Sequence, residues 1–159
     1  MDLLFSKNLK SLSLKNNGLT HLPDEMGNLT NLRVLSLVKN NLTEIPQCVC
    51  SLSNLEELFV SRNQLISLPA EIGNLKKLKT LSLIRNNIQA LPPEIGDLIN
   101  LRALLLRANE LTQLPPAIVK LTQLKTLEVA DNPLRPPLDE VAKNGVYALM
   151  SYCRLSEWG

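Results

Sequence analysis

Few side chains in this sequence could act as nucleophiles or metal ligands, and they are scattered. His21 is the only histidine, and Cys48, Cys50 and Cys153 are the only thiols among 159 residues. Acid–base work by a histidine needs a partner fixed within hydrogen-bond reach. None is specified beside His21, which reads as a solvated turn residue just before Leu22. Cys48-x-Cys50 supplies half of a zinc ligand set, and a closed site needs two further soft or imidazole ligands. The surrounding segments offer Asp24, Glu71 and glycines instead. Cys50 stands where Gly27, Gly73 and Gly96 stand in other segments, so it reads as a small packing residue. The sequence has no Gly-x-Gly-x-x-Gly, phosphate loop, nucleophile elbow or His-Glu-x-x-His motif. No catalytic residue, metal or cofactor is expected.

The side chains whose spacing is regular do a quieter chemistry. Asn17, Asn40, Asn63, Asn86, Asn109 and Asn132 recur every 23 residues, each eight places after a leucine: Leu9, Leu32, Leu55, Leu78, Leu101 or Leu124. A buried amide both donates and accepts, so it can bind the turn backbone of its own unit and of a neighbour. Six such residues predict a hydrogen-bonded ladder between stacked units. A strict period in this range marks a solenoid, whose units each bury their apolar face only against the next. Such a fold has little interior for a reaction centre and a long surface for binding.

Each unit reads Leu-x-x-Leu-x-Leu-x-x-Asn-x-Leu-x-x-Leu-Pro, followed by a short aliphatic tail. In the fourth, Leu81 and Leu83 alternate with Thr80, Ser82 and Ile84, the period-2 mark of a half-buried strand. Pro23, Pro46, Pro69, Pro92 and Pro115 forbid continuing that strand. The tails that follow suit one or two turns of helix or 3₁₀ helix. Parallel strands on the concave side and short helical segments on the convex side follow. The sixth unit departs from the pattern, with Leu138 where proline is due. Beyond it the sequence predicts a helical cap over 138–159, interrupted at Gly145, with Val146, Leu149, Met150 and Cys153 as its apolar face. Residues 1–8 read as a short cap or the stub of a preceding coil, because Leu3 keeps the register of Met26, Val49 and Ile72. A stub would leave an edge open to self-association. The chain is thus one domain: 1–8, six repeats over 9–137, and the cap.

Composition narrows function further. Net charge is only +2, and no apolar run is long enough for a transmembrane helix. The first eight residues lack the pattern of a secretory signal. Three cysteines give no disulfide framework, so a reducing, cytoplasmic setting is expected. The charge is segregated, however. The outward strand places carry ten basic and four acidic residues, net +6 on a face of a chain whose total is +2. Lys39, Arg62 and Arg85 form one basic row. Lys10, Arg33, Lys79, Arg102 and Lys125 form another, broken by Glu56. Val34, Val38, Phe59, Ile84 and Leu105 lie between them, with Lys15 and Arg107 at the margins. An apolar centre rimmed by charge describes a protein interface. Nucleic acid fits poorly, since no aromatic set is interleaved for base stacking.

The motif with its Leu-Pro-x-x-Ile-Gly-x-Leu tail resembles the intracellular leucine-rich repeat proteins over Leu9 to Leu134, and in particular the 23-residue class of Ras-associated scaffolds, Ras suppressors and scribble- or erbin-like proteins. The resemblance implies an α/β horseshoe segment and a non-catalytic scaffold or adaptor. Its protein partner would be acidic, in small-GTPase or related signalling. The alternatives are a targeting domain of a larger signalling enzyme (a kinase, ubiquitin ligase or repeat-containing GTPase) and a microbial effector or surface protein.

Overall fold

The computed structural model describes residues 6–157. Leu3, on which the reading of the amino-terminal segment turns, lies outside them. Six strands are present: β1 Ser11–Ser13, β2 Val34–Ser36, β3 Glu57–Phe59, β4 Thr80–Ser82, β5 Ala103–Leu105 and β6 Thr126–Glu128. They form one open parallel sheet in chain order. Every partner lies 23 residues away, as in Leu58↔Leu81 and Leu81↔Leu104. The coils below are numbered 1 to 6 from Leu9, Leu32, Leu55, Leu78, Leu101 and Leu124.

Each strand is only three residues long, and the backbone shows why. Asn16, Lys39, Arg62, Arg85, Ala108 and Asp131 all have φ between 56° and 60°, the left-handed region that costs an L-residue roughly 1–2 kcal/mol. The turn is needed because the next residue must aim its amide inward. Asn86 is buried and donates to Val60 O and Leu83 O, each at 3.0 Å. Its Oδ1 accepts from Leu65 N at 3.0 Å. Asn40, Asn63, Asn109 and Asn132 make the corresponding bonds. Each side chain thus ties its own turn to the preceding coil. Asn17 differs: it is exposed, and among the described residues its side chain donates only to Lys15 O, because no described coil precedes it.

Proline then starts the return path. Pro23, Pro69, Pro92 and Pro115 each precede a 3₁₀ turn, at Asp24–Asn28, Ala70–Asn74, Pro93–Asp97 and Pro116–Lys120. Pro46 precedes a single α-turn, α1, Gln47–Cys50. Here proline's missing donor costs nothing, and its carbonyl accepts the first helical bond, as in Ile95 N to Pro92 O at 3.0 Å. The turns stack tightly on the convex side. A Cβ at Gly96 would lie 2.6 Å from Ala117 O, so a side chain there forces the backbone apart, and one at Gly73 would sit tightly at 3.0 Å from Glu94 O.

Leucines at four or five places per coil fill a continuous core, and Leu81, Leu83, Leu104 and Leu106 are completely buried. The far end is covered by α2, Leu138–Ala142, and α3, Val146–Glu157, joined through Gly145 at φ 89°. Leu149, Met150 and Cys153 of α3 are buried and Val146 is half-buried, all joined to the main core. Among the described residues no helix is long and apolar enough to cross a membrane.

Candidate protein-interaction face

Parallel register collects one residue type after another into rows across the concave sheet. Val34, Val38, Phe59, Ile84 and Leu105 are all half-buried there, each next in the chain to a buried leucine. Ser82 shares the face but is 4% exposed, and its hydroxyl meets that of Ser61 at 2.7 Å. The two serines close a flat floor between the apolar side chains.

The cations around this floor fall into two groups. Lys39, Arg62 and Arg85 are exposed, and no carboxylate among the described residues pairs with them. They are not strand residues, as the alternation in the sequence suggests. All three sit in the left-handed turn beyond the strand ends, at φ 56–58°, so they line the margin of the sheet. Lys15 is exposed on the same margin in coil 1, also without an ion pair among the described residues.

The second group is neutralised within the chain. Glu56, the break in the basic row, binds Lys79 Nζ at 2.8 Å. That hydrogen bond, with the charges of Lys79, Arg33 and Lys77, holds its carboxyl below the ordinary range. Arg107, placed by the sequence among the binding cations, donates from Nε to Asp131 at 2.8 Å and lies 4.0 Å from Glu128. The hydrogen bond and charge of Asp131 hold its guanidinium firmly protonated. Along the turn-side margin the cations therefore divide: Lys15, Lys39, Arg62 and Arg85 stay without an ion pair among the described residues over coils 1 to 4, and Arg107 of coil 5 is held by Asp131 of coil 6. No sequence signal marks this division, because it depends on which acid lies one coil from which base.

The residues with possible reactivity are elsewhere. Cys48, Cys50 and Cys153 are free and buried. Burial, reinforced by Glu71 and Cys48, pushes the Cys50 thiol up to about 11. Burial and Asp24 raise Cys48, and burial alone raises Cys153. Such thiols are poor nucleophiles at neutral pH. His21 is exposed, and among the described residues its Nδ1 has a hydrogen-bond partner only in the Thr20 hydroxyl, at 3.2 Å. Among the described residues no group of three or more His, Cys, Asp or Glu side chains could hold a metal ion.

A model of the leucine-rich repeat region matches residues 3–87 and 70–157, nearly the whole chain. The chain belongs to the leucine-rich repeat family. Among solved structures, a leucine-rich repeat protein of Leptospira interrogans is 36% identical at a TM-score of 0.70, over 82% of this chain and 39% of that one. The repeat ectodomain of the Arabidopsis thaliana receptor kinase GASSHO1/SCHENGEN3, solved in complex with Casparian strip integrity factor 2, is 40% identical at a TM-score of 0.73, over 82% and 16%. An internalin of Listeria monocytogenes is 25% identical at a TM-score of 0.71, over 82% and 37%. No curated protein matches the chain. This leucine-rich repeat segment thus spans less than half the length of each of these structures.

Proposed function

We propose that this chain is a non-catalytic protein-interaction module that takes an acidic protein partner on its concave face. One observation carries the reading. Lys39, Arg62 and Arg85 remain unpaired beside half-buried Phe59 and Ile84, while Lys79 and Arg107 already hold carboxylates. Like charges side by side on neighbouring coils repel, and an acidic partner relieves that repulsion while covering the apolar floor. Leucine-rich repeat domains generally act through such surfaces, and the GASSHO1/SCHENGEN3 ectodomain is one solved with a bound partner. The regular 23-residue unit supports a place among the Ras-associated scaffolds and scribble- or erbin-like proteins, with a partner in small-GTPase or related signalling. Three buried free thiols favour a cytoplasmic setting. A second reading, a targeting domain within a larger signalling protein, draws support from the likeness to a receptor kinase's repeats; it uses the same face.

Association kinetics with a partner captured by the wild-type chain test this reading. Phe59→Ala removes an aromatic anchor from the centre of the face, and such anchors typically contribute about 2 kcal/mol or more. Arg62→Glu with Arg85→Glu is expected to slow association and flatten its salt dependence. Both leave the leucine core intact. If these variants bind normally while Lys76→Glu on the convex side abolishes binding, the concave reading is wrong.

A further inference from the structure

We propose that the occupant of the concave face is a single amphipathic α-helix lying along the solenoid axis, with carboxylates at i, i+3 or i+4, and i+7. The inference rests on the concave-face reading and follows from the spacing of side chains across the coils. Ser36, Phe59, Ser82 and Leu105 stand side by side in register on β2 to β5. Apolar side chains therefore recur there at every second coil. One step closer to the turn, Val38, Ser61 and Ile84 repeat the same alternation in the next row. Adjacent strands lie about 4.8 Å apart, so the apolar period is about 10 Å.

A helix matches that period. Seven residues rise about 10.5 Å and return the side chain to nearly the same face, so a heptad pair of apolar residues meets Phe59 and Leu105 together. Carboxylates three or four places apart are separated along the axis by about 5–6 Å, close to one coil spacing. The third carboxylate, at i+7, reaches the second coil on. The unpaired cations Lys39, Arg62 and Arg85 occupy three successive coils in that way. An extended peptide does not match, because its same-side residues recur at about 6.6 Å and drift out of phase by the second coil. The footprint also has ends. The equivalent places in coils 1 and 5 are Asn16 and Ala108, and coil 6 presents Asp131 with Glu128 nearby. With Ala108 in coil 5 and Asp131 already held by Arg107, this row offers no free cation to a carboxylate past Leu105. About two helical turns fit between the limits.

The experiment uses the full chain and fluorescently labelled synthetic peptides, followed by anisotropy. One peptide carries Glu at i, i+3 and i+7 with Leu at heptad spacing. An isomer of the same composition carries Glu at alternate positions, and a third peptide is the first with a central proline. The first should bind at least about tenfold more tightly than either other, gain helical circular dichroism on binding, and lose its advantage against Arg62→Glu/Arg85→Glu. Equal or tighter binding of the isomer or the proline peptide overturns the helix, as does failure of all three to bind. If the peptides bind equally and Phe59→Ala weakens them all, the helix fails and the concave reading stands. If neither Phe59→Ala nor the charge reversal changes binding, both readings fail.

Discussion

Coils 4 and 1 are written in the same motif and differ in what surrounds them. Leu81 and Leu83 in coil 4 are completely buried, whereas their counterparts Leu12 and Leu14 in coil 1 remain half-buried. The amide shows the same contrast: Asn86 is buried with three backbone partners, and Asn17 is exposed with one. The same motif thus yields different burial, because each coil packs against its neighbours on both sides. The sixth coil confirms this from the other side. Helices α2 and α3 replace a seventh coil, and Leu124, Leu127 and Leu134 are held to 8% exposure. A leucine in this fold is stabilised by its neighbours more than by its own coil.

The largest expected effect breaks that contrast directly. Leu81→Ala should cost about 2–5 kcal/mol, through lost burial and a cavity that two flanking coils prevent from collapsing. Leu12→Ala removes a side chain already partly in water, with room to relax, and should cost no more than about half as much. Denaturant unfolding of the two variants measures the difference. Equal losses would mean that a leucine is stabilised chiefly by its own coil and not by its neighbours.

The amides sharpen the comparison at a smaller scale. Asn86→Ala strands the Leu65 N–H and takes one of two amide donors from each of Val60 O and Leu83 O, which keep Asn63 and Asn109, and should cost roughly 1–3 kcal/mol. Asn17→Ala should be nearly silent, as should Asn87→Ala, whose side chain is exposed. Hydrogen exchange at Leu65, whose N–H is held by Asn86, gives a local readout. Its protection should fall in Asn86→Ala and hold in Asn87→Ala. Loss of protection in both variants would displace the ladder from the amide assigned here.

The repeat made most of the fold legible before any coordinate was known. Leucine alternation, the proline after each strand and the recurring asparagine each act locally, so a single unit contains its own instructions. Helix α3 was legible for the same reason, since Leu149, Met150 and Cys153 lie at helical spacing. The candidate site was legible only in part. The shared side of Val34, Phe59 and Leu105 follows from strand alternation alone. The fates of Arg107 and Lys79 were not legible, because an ion pair 23 or 24 residues away depends on side-chain reach across coils. The left-handed turn was hidden too. Its usual signal is glycine or asparagine, and here Lys39, Arg62, Arg85 and Ala108 adopt it without either.

That turn supplies the smallest expected effect, and one in which ends and interior are alike. The positive φ appears in all six coils, from Asn16 to Asp131, so it belongs to the repeat and not to the binding face. Each non-glycine residue held there costs roughly 1–2 kcal/mol. The cost is offset by the amide that the turn aims inward and by ladder bonds such as Ala108 N to Ala130 O at 3.0 Å. Ala108→Gly keeps that bond and removes the strain, at the expense of a more flexible unfolded chain worth about 0.5–1 kcal/mol. The net should be a gain of about 0.5 kcal/mol. Ala103→Gly, five residues earlier in β5 and in ordinary extended backbone, has no strain to relieve and should lose about 0.5–1 kcal/mol. The same substitution in one coil is thus expected to change sign over five residues. Thermal midpoints of the pair decide it: if Ala108→Gly destabilises as much as Ala103→Gly, the turn carries no strain and the short strands need another cause.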